Sequence, residues 1–199
     1  MAARQATGLE PAGVRGAGKV FIHFTMSLDG FIADAGGGLD WAFAFAGPSQ
    51  AAVRKITDPI GAVLAGRHGY DLGMMRGTMK VYGGAWSGPQ FVLTHRAGDP
   101  PADPSITFLS CGIAEAVGTA LAAAGGKDVV VMGASIARQC LAAGLTDEIL
   151  LHVVPVVLGD GIRLFSGPLQ QPITLRTVSL GQSGELIDIR FNVNAHQLA

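Results

Sequence analysis

Cysteine is scarce in this chain. Two occur among 199 residues, Cys111 and Cys140, and neither falls in a CxxC pair or a metal-ligand spacing. That excludes a disulfide framework and a cysteine-built metal site. Two reduced, mostly buried thiols of a cytoplasmic protein are expected instead. Charge is thin as well. Asp, Glu, Lys and Arg make up 15% of the chain and nearly cancel, leaving −1. Such a balance gives no electrostatic footprint for nucleic acid. No apolar run reaches the ~18 residues of a membrane span. Residues 1–18 are rich in Ala, Gly and Arg but lack the apolar core of a secretory signal. They read as a flexible leader ahead of one domain, residues 19–199. Internal repeats and an interdomain linker are also missing.

What is present in excess is apolar residues, at 49%, and glycine, at 29 residues, about double the usual ~7% share. The stretch from Lys127 to Leu158 organises the rest. Val129-Val130-Val131-Met132 reads as a buried strand, and Gly133-Ala134-Ser135 as a tight turn. A helix carrying Ile136, Cys140 and Leu141 follows, Gly144 ends it, and Asp147 to Leu158 reads as a second strand. This is a βαβ-like unit. Further strands are expected at Lys19–Ser27, Ala62–Ala65, Gln90–Leu93 and Ile106–Leu109. Helices are expected at Gln50–Thr57, opened by Pro48-Ser49, and at Ile113–Ala124. Phe31 to Asp40, with its glycine triplet, reads as a mobile loop, and Tyr70 to Trp86 as a short helix and a flap. Ile173–Leu180 and Glu185–Val193 alternate as an antiparallel hairpin. The sum is an α/β fold with a central mixed sheet of about eight strands flanked by helices.

Three apolar strands end in polar or glycine-rich residues: Gly66-Arg67-His68, Thr94-His95-Arg96 and Gly133-Ala134-Ser135. Any one alone reads as an ordinary solvent-facing loop. Together they point to a ligand at the carboxyl ends of the strands. Arg67, His68 and Arg96 would clamp phosphates, and Thr94 or Ser135 would add hydroxyl donors.

The run Val63 to Tyr70 resembles the cofactor-binding turn of dihydrofolate reductases, where Gly-Arg begins the helix that holds the NADPH pyrophosphate. Phe91 to Arg96 resembles the strand end that holds the adenosine 2′-phosphate. Val131 to Leu141, which includes Ile136, resembles the glycine turn and helix beside the nicotinamide and pyrophosphate. Ser27-Leu28-Asp29-Gly30, Gly144 to Glu148 and Pro155 to Gly161 resemble more closely the riboflavin-biosynthesis reductase domain, which shares that fold. The resemblance spans roughly residues 19 to 193. It implies a three-layer, mainly parallel sheet with a C-terminal antiparallel hairpin, NADPH as cofactor, and Gly66, Arg67, His68, Thr94, His95, Arg96, Gly133, Ala134, Ser135 and Ile136 as its contacts. Two departures stand out. Met132-Gly133-Ala134 replaces consecutive glycines, and Gln50 falls where the folate enzymes carry the carboxylate that binds the pterin. True folate reduction is therefore not expected. The zinc deaminase signature, His-x-Glu with Pro-Cys-x-x-Cys, is absent.

For proton chemistry the candidates are Asp29, otherwise a turn residue capping its own backbone, and His152, otherwise a core or interface histidine. Trp41, Gln50 and Tyr70 are candidate walls of the substrate site, and the two aromatics read equally as core. Lys80 and Arg163 are weaker candidates for a substrate phosphate. The expected function is an NADPH-dependent reductase of a small heterocyclic or ribosylamino-pyrimidine-like substrate. The alternatives are a non-catalytic nucleotide-binding dimer, a pterin-type reductase and a flavin-binding scaffold. The strand Ile149–Val157, apolar on both faces, together with the hairpin predicts a homodimer.

Overall fold

The computed structural model describes residues 17–45, 50–77, 80–96, 101 and 103–194. The chain runs β1 (Val20–Ser27), β2 (Phe31–Ala33), α1 (Asp40–Phe43), α2 (Gln50–Thr57), β3 (Ile60–Gly66) and α3 (Arg67–Arg76). A 3-10 turn (Val81–Gly84) leads to β4 (Gln90–Leu93), β5 (Ile106–Leu109), α4 (Ile113–Ala123), β6 (Asp128–Met132) and α5 (Ala134–Ala142). β7 (Glu148–Val154), β8 (Ile162–Arg163), β9 (Thr174–Ser183) and β10 (Leu186–Asn194) complete it. The main sheet has eight strands in the order β5-β4-β3-β6-β1-β7-β10-β9. From β5 to β7 neighbours are parallel, and β10 is antiparallel to both β7 and β9. β2 and β8 form a separate antiparallel pair.

The parallel strands are apolar runs because both sheet faces are covered. On one face Ile22, Leu64, Val129 and Val131 pack against Ala116, Val117 and Ala120 of α4 and Ile136, Ala137 and Cys140 of α5. On the other, Phe21, Ile60, Val63 and Val130 form a smaller cluster, with Tyr82, Trp86 and Met132 packed on it. Burial pushes the Cys140 thiol up to about 12, which leaves it a packing residue. No described helix is long and apolar enough to cross a membrane.

The structure departs from expectation in several places. Phe31 to Asp40 is not one loop, because Phe31–Ala33 pairs with β8 and Asp40 begins α1. Asp34 accounts for the rest of that stretch: its carboxylate accepts from the Gly38 N–H at 2.7 Å and closes the glycine turn. β7 stops at Val154, four residues early, and Ile162–Arg163 forms a two-residue strand that the sequence pattern does not announce. The proposed leader, except residues 17 and 18, and the Pro48-Ser49 helix start lie outside the described residues.

Candidate functional site

β3 and β6 run side by side with Ala65 opposite Met132. A glycine, Gly66 at the end of β3 and Gly133 just after β6, caps each following helix without any side-chain hydrogen bond. The first-turn N–H groups of α3 and α5 are therefore left to whatever lies between them, at two positive dipole ends. Gly133 sits at φ 105, ψ 129, a conformation that side chains rarely tolerate. A Cβ there would lie 3.6 Å from the Gly66 amide nitrogen, so the two turns are close neighbours.

Above this floor lies a cleft of about 2140 Å³. Pockets for one small ligand span roughly 300–1,000 Å³, so this cleft has room for two. Arg67, Arg76, Lys80, Arg96, Arg138 and Arg163 line it, against Asp34, Asp40, Asp71 and Asp160. Arg67 is held hard. Its Nε donates to Asp71 at 2.7 Å, and its guanidinium lies 4.9 Å over Phe108 and 5.7 Å from the Tyr70 ring centre. Its Nη1 is buried with no hydrogen-bond partner. A buried unpaired donor of this kind is costly. At the end of β4 the buried Thr94 Oγ1 accepts from the Arg96 N–H at 3.1 Å, which sets His95 and Arg96 at the exposed rim. This donor set fits a phosphate-bearing dinucleotide.

The ten residues expected to hold a cofactor, Gly66, Arg67, His68, Thr94, His95, Arg96 and Gly133 through Ile136, all line this one cleft. The proton-chemistry and substrate candidates fare differently. Asp29 is not among the lining residues. Its carboxylate accepts from Ser27 Oγ (2.7 Å), Leu158 N (3.1 Å) and Gly159 N (2.8 Å), tying the end of β1 to the loop after β7. Desolvation alone would raise its carboxyl, but these hydrogen bonds outweigh it and hold the group at about 2. That is the turn-capping role. His152 does not line the cleft either; its Nδ1 pairs with Asp188 at 2.5 Å across β7 and β10. Trp41 turns its Nε1–H to the Gly38 carbonyl at 3.2 Å, while Leu39 and Phe43 beside it line the cleft. Tyr70 does line the cleft, but among Arg67 and Phe108, on the half that holds Thr94. Gln50 is the first residue of α2, and its side chain lies outside the described residues. Lys80 and Arg163 both line the cleft.

Two lining residues carry chemistry that the sequence reading passed over. His23 stands in the middle of the apolar strand β1, and Tyr82 in the segment assigned to a flap. His23 Nδ1 and Tyr82 Oη are 2.7 Å apart. A lone histidine inside a central apolar strand was the available signal. Tyr82 gave none, because its left-handed backbone (φ 52) is rare for a bulky residue.

The RibD C-terminal domain family matches residues 18–187. Among curated proteins, the uncharacterized protein YwjB of Bacillus subtilis is 27% identical over 176 residues, 87% of this chain and 97% of that one. A candidate riboflavin biosynthesis protein from Shewanella sp. PV-4 superposes with a TM-score of 0.76 at 21% identity, covering 88% of this chain and 99% of the other. A diaminohydroxyphosphoribosylaminopyrimidine deaminase/5-amino-6-(5-phosphoribosylamino)uracil reductase from Thermotoga maritima superposes with a TM-score of 0.64 at 14% identity. That match covers 89% of this chain and 57% of the longer one. At these identities the structural likenesses speak for the fold, a mostly parallel α/β sheet of the kind found in RibD reductase domains.

Proposed function

The chain belongs to the RibD C-terminal domain family, and on that premise we propose that it is a reductase using NADPH to reduce a small heterocyclic substrate of the ribosylamino-pyrimidine kind. The observation that carries this reading is the meeting of two side-chain-free helix starts, Gly66-Arg67 and Gly133-Ala134, in one cleft that Arg67 also lines. The pyrophosphate takes those N–H groups and Arg67. The adenosine 2′-phosphate takes Thr94, His95 and Arg96. Ser135 and Ile136, on the first turn of α5, border the nicotinamide. When bound, the cofactor supplies a hydride; the protein orients the reactants and excludes water. Lys80 or Arg163 meets a substrate phosphate. Arg163 is already positioned, its Nη1 donating to the Asp29 carbonyl at 2.7 Å and its guanidinium 4.2 Å over the Phe31 ring.

Calorimetric titration with NADPH and NADH tests the reading. NADPH binds clearly tighter, and Arg96→Ala narrows the preference about tenfold, the scale of one charge-assisted hydrogen bond. Equal binding of the two cofactors would remove the 2′-phosphate site. No binding of either at millimolar concentration would remove the function.

A homodimer formed through the C-terminal hairpin is part of the same proposal. β9 is exposed along its whole length and presents Leu175, Val178 and Leu180, with Ile187 beside them on β10. So much apolar strand at a sheet edge invites a second copy. Light scattering is expected to return twice the chain mass, and a monomer at working concentration would refute it.

A further inference from the structure

We propose that the Tyr82 hydroxyl is the proton donor of the reduction and that His23 is the residue that aims it. This rests on the reductase reading above. Both side chains line the cleft. β1 is parallel to β6 with Ile22 opposite Val131, so His23 stands level with Met132, one residue before the Gly133 turn. Tyr82 and Met132 pack on the same small apolar cluster. The pair therefore sits at the border between the proposed cofactor half and the rest of the cleft, where a substrate atom next to the nicotinamide would lie.

The direction of the hydrogen bond follows from what is left unpaired. His23 Nε2 is buried without a partner. If Nε2 carried the proton, an N–H donor would be orphaned in the interior, which proteins rarely accept. With the proton on Nδ1, Nε2 is a bare acceptor and His23 donates to Tyr82 Oη. The phenol proton is then free to point into the cleft. Burial, with smaller contributions from His152 and Arg190, lowers the His23 imidazole to about 3, and burial raises the Tyr82 phenol. Both groups are thus neutral throughout the physiological range. The ring of His152, held by Asp188, meets the His23 ring edge-on at 4.9 Å, and the Tyr82 ring stacks on His23 at 5.5 Å. Three successive left-handed residues, Tyr82, Gly83 and Gly84, fix the turn that presents the phenol.

The substrate C=X bond, with X oxygen or nitrogen, gains a hydride at carbon from the reduced nicotinamide, which is oxidised by two electrons. The π pair moves to X, and X takes the Tyr82 proton. The His23 Nδ1–H stabilises the phenolate until solvent returns a proton.

Two measurements test the proposal. Nitrogen-15 NMR of labelled histidine in the wild-type protein is expected to show His23 neutral with Nδ1 protonated; Nδ1 bare would overturn the proposal whatever the substrate. With NADPH and 5-amino-6-(5-phosphoribosylamino)uracil as probe, Tyr82→Phe is expected to lower kcat about 100-fold. KM and the NADPH Kd are expected to stay within about twofold. His23→Gln, which offers an amide donor only near the Nε2 position, is expected to fall similarly. His23→Asn, whose amide mimics Nδ1–H, restores part of that loss. A Tyr82→Phe enzyme as fast as wild type overturns the proton donor and leaves the reductase intact. Failure of the wild type to bind NADPH overturns the reductase reading and this proposal with it. If NADPH binds and the uracil is not reduced, the tautomer seen by NMR decides.

Discussion

Gly133→Val is expected to weaken NADPH binding by about 100-fold. The backbone at Gly133 (φ 105, ψ 129) lies where a β-branched residue carries about 1–3 kcal/mol of strain. The cheapest relief is rotation of the peptides on either side, and those peptides launch α5. Its first N–H groups would swing away from the Gly66 turn, now so close that a Cβ on Gly133 would be 3.6 Å from the Gly66 nitrogen. Two or three kcal/mol lost from the bound state corresponds to roughly two decades of affinity. Gly144→Ala is the control. Gly144 is also left-handed (φ 64) and ends the same helix, but it does not line the cleft. That variant should lose stability and keep its affinity. Calorimetry on both decides the matter: a Gly133→Val protein that binds NADPH within threefold of wild type would show that the turn does not hold the cofactor.

Glu148→Ala is expected to lower stability at pH 7 by about 2 kcal/mol. Glu148 is 7% exposed and sits on β7 between β1 and β10. It accepts from Lys19 Nζ at 2.5 Å and from Arg190 Nε at 2.8 Å, and so fastens three strands. The two cations are 57% and 41% exposed and rehydrate when the carboxylate is lost. The cost therefore stays below the 3–5 kcal/mol typical of a fully buried broken pair. Burial alone would raise this carboxyl, but the hydrogen bond and charge of Lys19 and the charge of Arg190 reverse it and leave its pKa lowered. The sign follows. A depressed carboxyl contributes its full stability above the unfolded value of about 4.3. That stability is lost as pH falls through the lower, folded value. Urea midpoints for wild type and Glu148→Gln should therefore differ at pH 7 and converge in acid. A gap that is constant with pH would mean that charge plays no part.

Much of the fold was legible because parallel strands announce themselves. Gln90–Leu93 and Ile106–Leu109 are apolar runs between turn residues, and both were placed to the residue. The three strand ends were legible because polar residues directly after such runs are unusual. Asp29 stayed open between two readings because an acid at a strand end looks the same whether it serves chemistry or caps a turn. Only its bonds to Ser27, Leu158 and Gly159 separate the two. Trp41 stayed open between pocket wall and core because a four-residue helix has no periodicity from which to choose a face. The His23–Tyr82 pair joins residues 59 apart, and no local preference predicts a tyrosine in a left-handed turn.

The position of β1 has a consequence for the newborn chain. Among the described strands, Val20–Ser27 is translated ahead of the others, yet it lies between β6 and β7, whose residues begin at Asp128 and Glu148. At roughly 5–20 residues per second, translation takes several seconds to some twenty seconds to deliver both partners. Throughout that interval an apolar strand with two unpaired edges waits outside any sheet. The cost of closing so long a loop slows pairing further. A chain truncated anywhere before residue 148 never receives β7, and β1 stays exposed as a template for association with other chains.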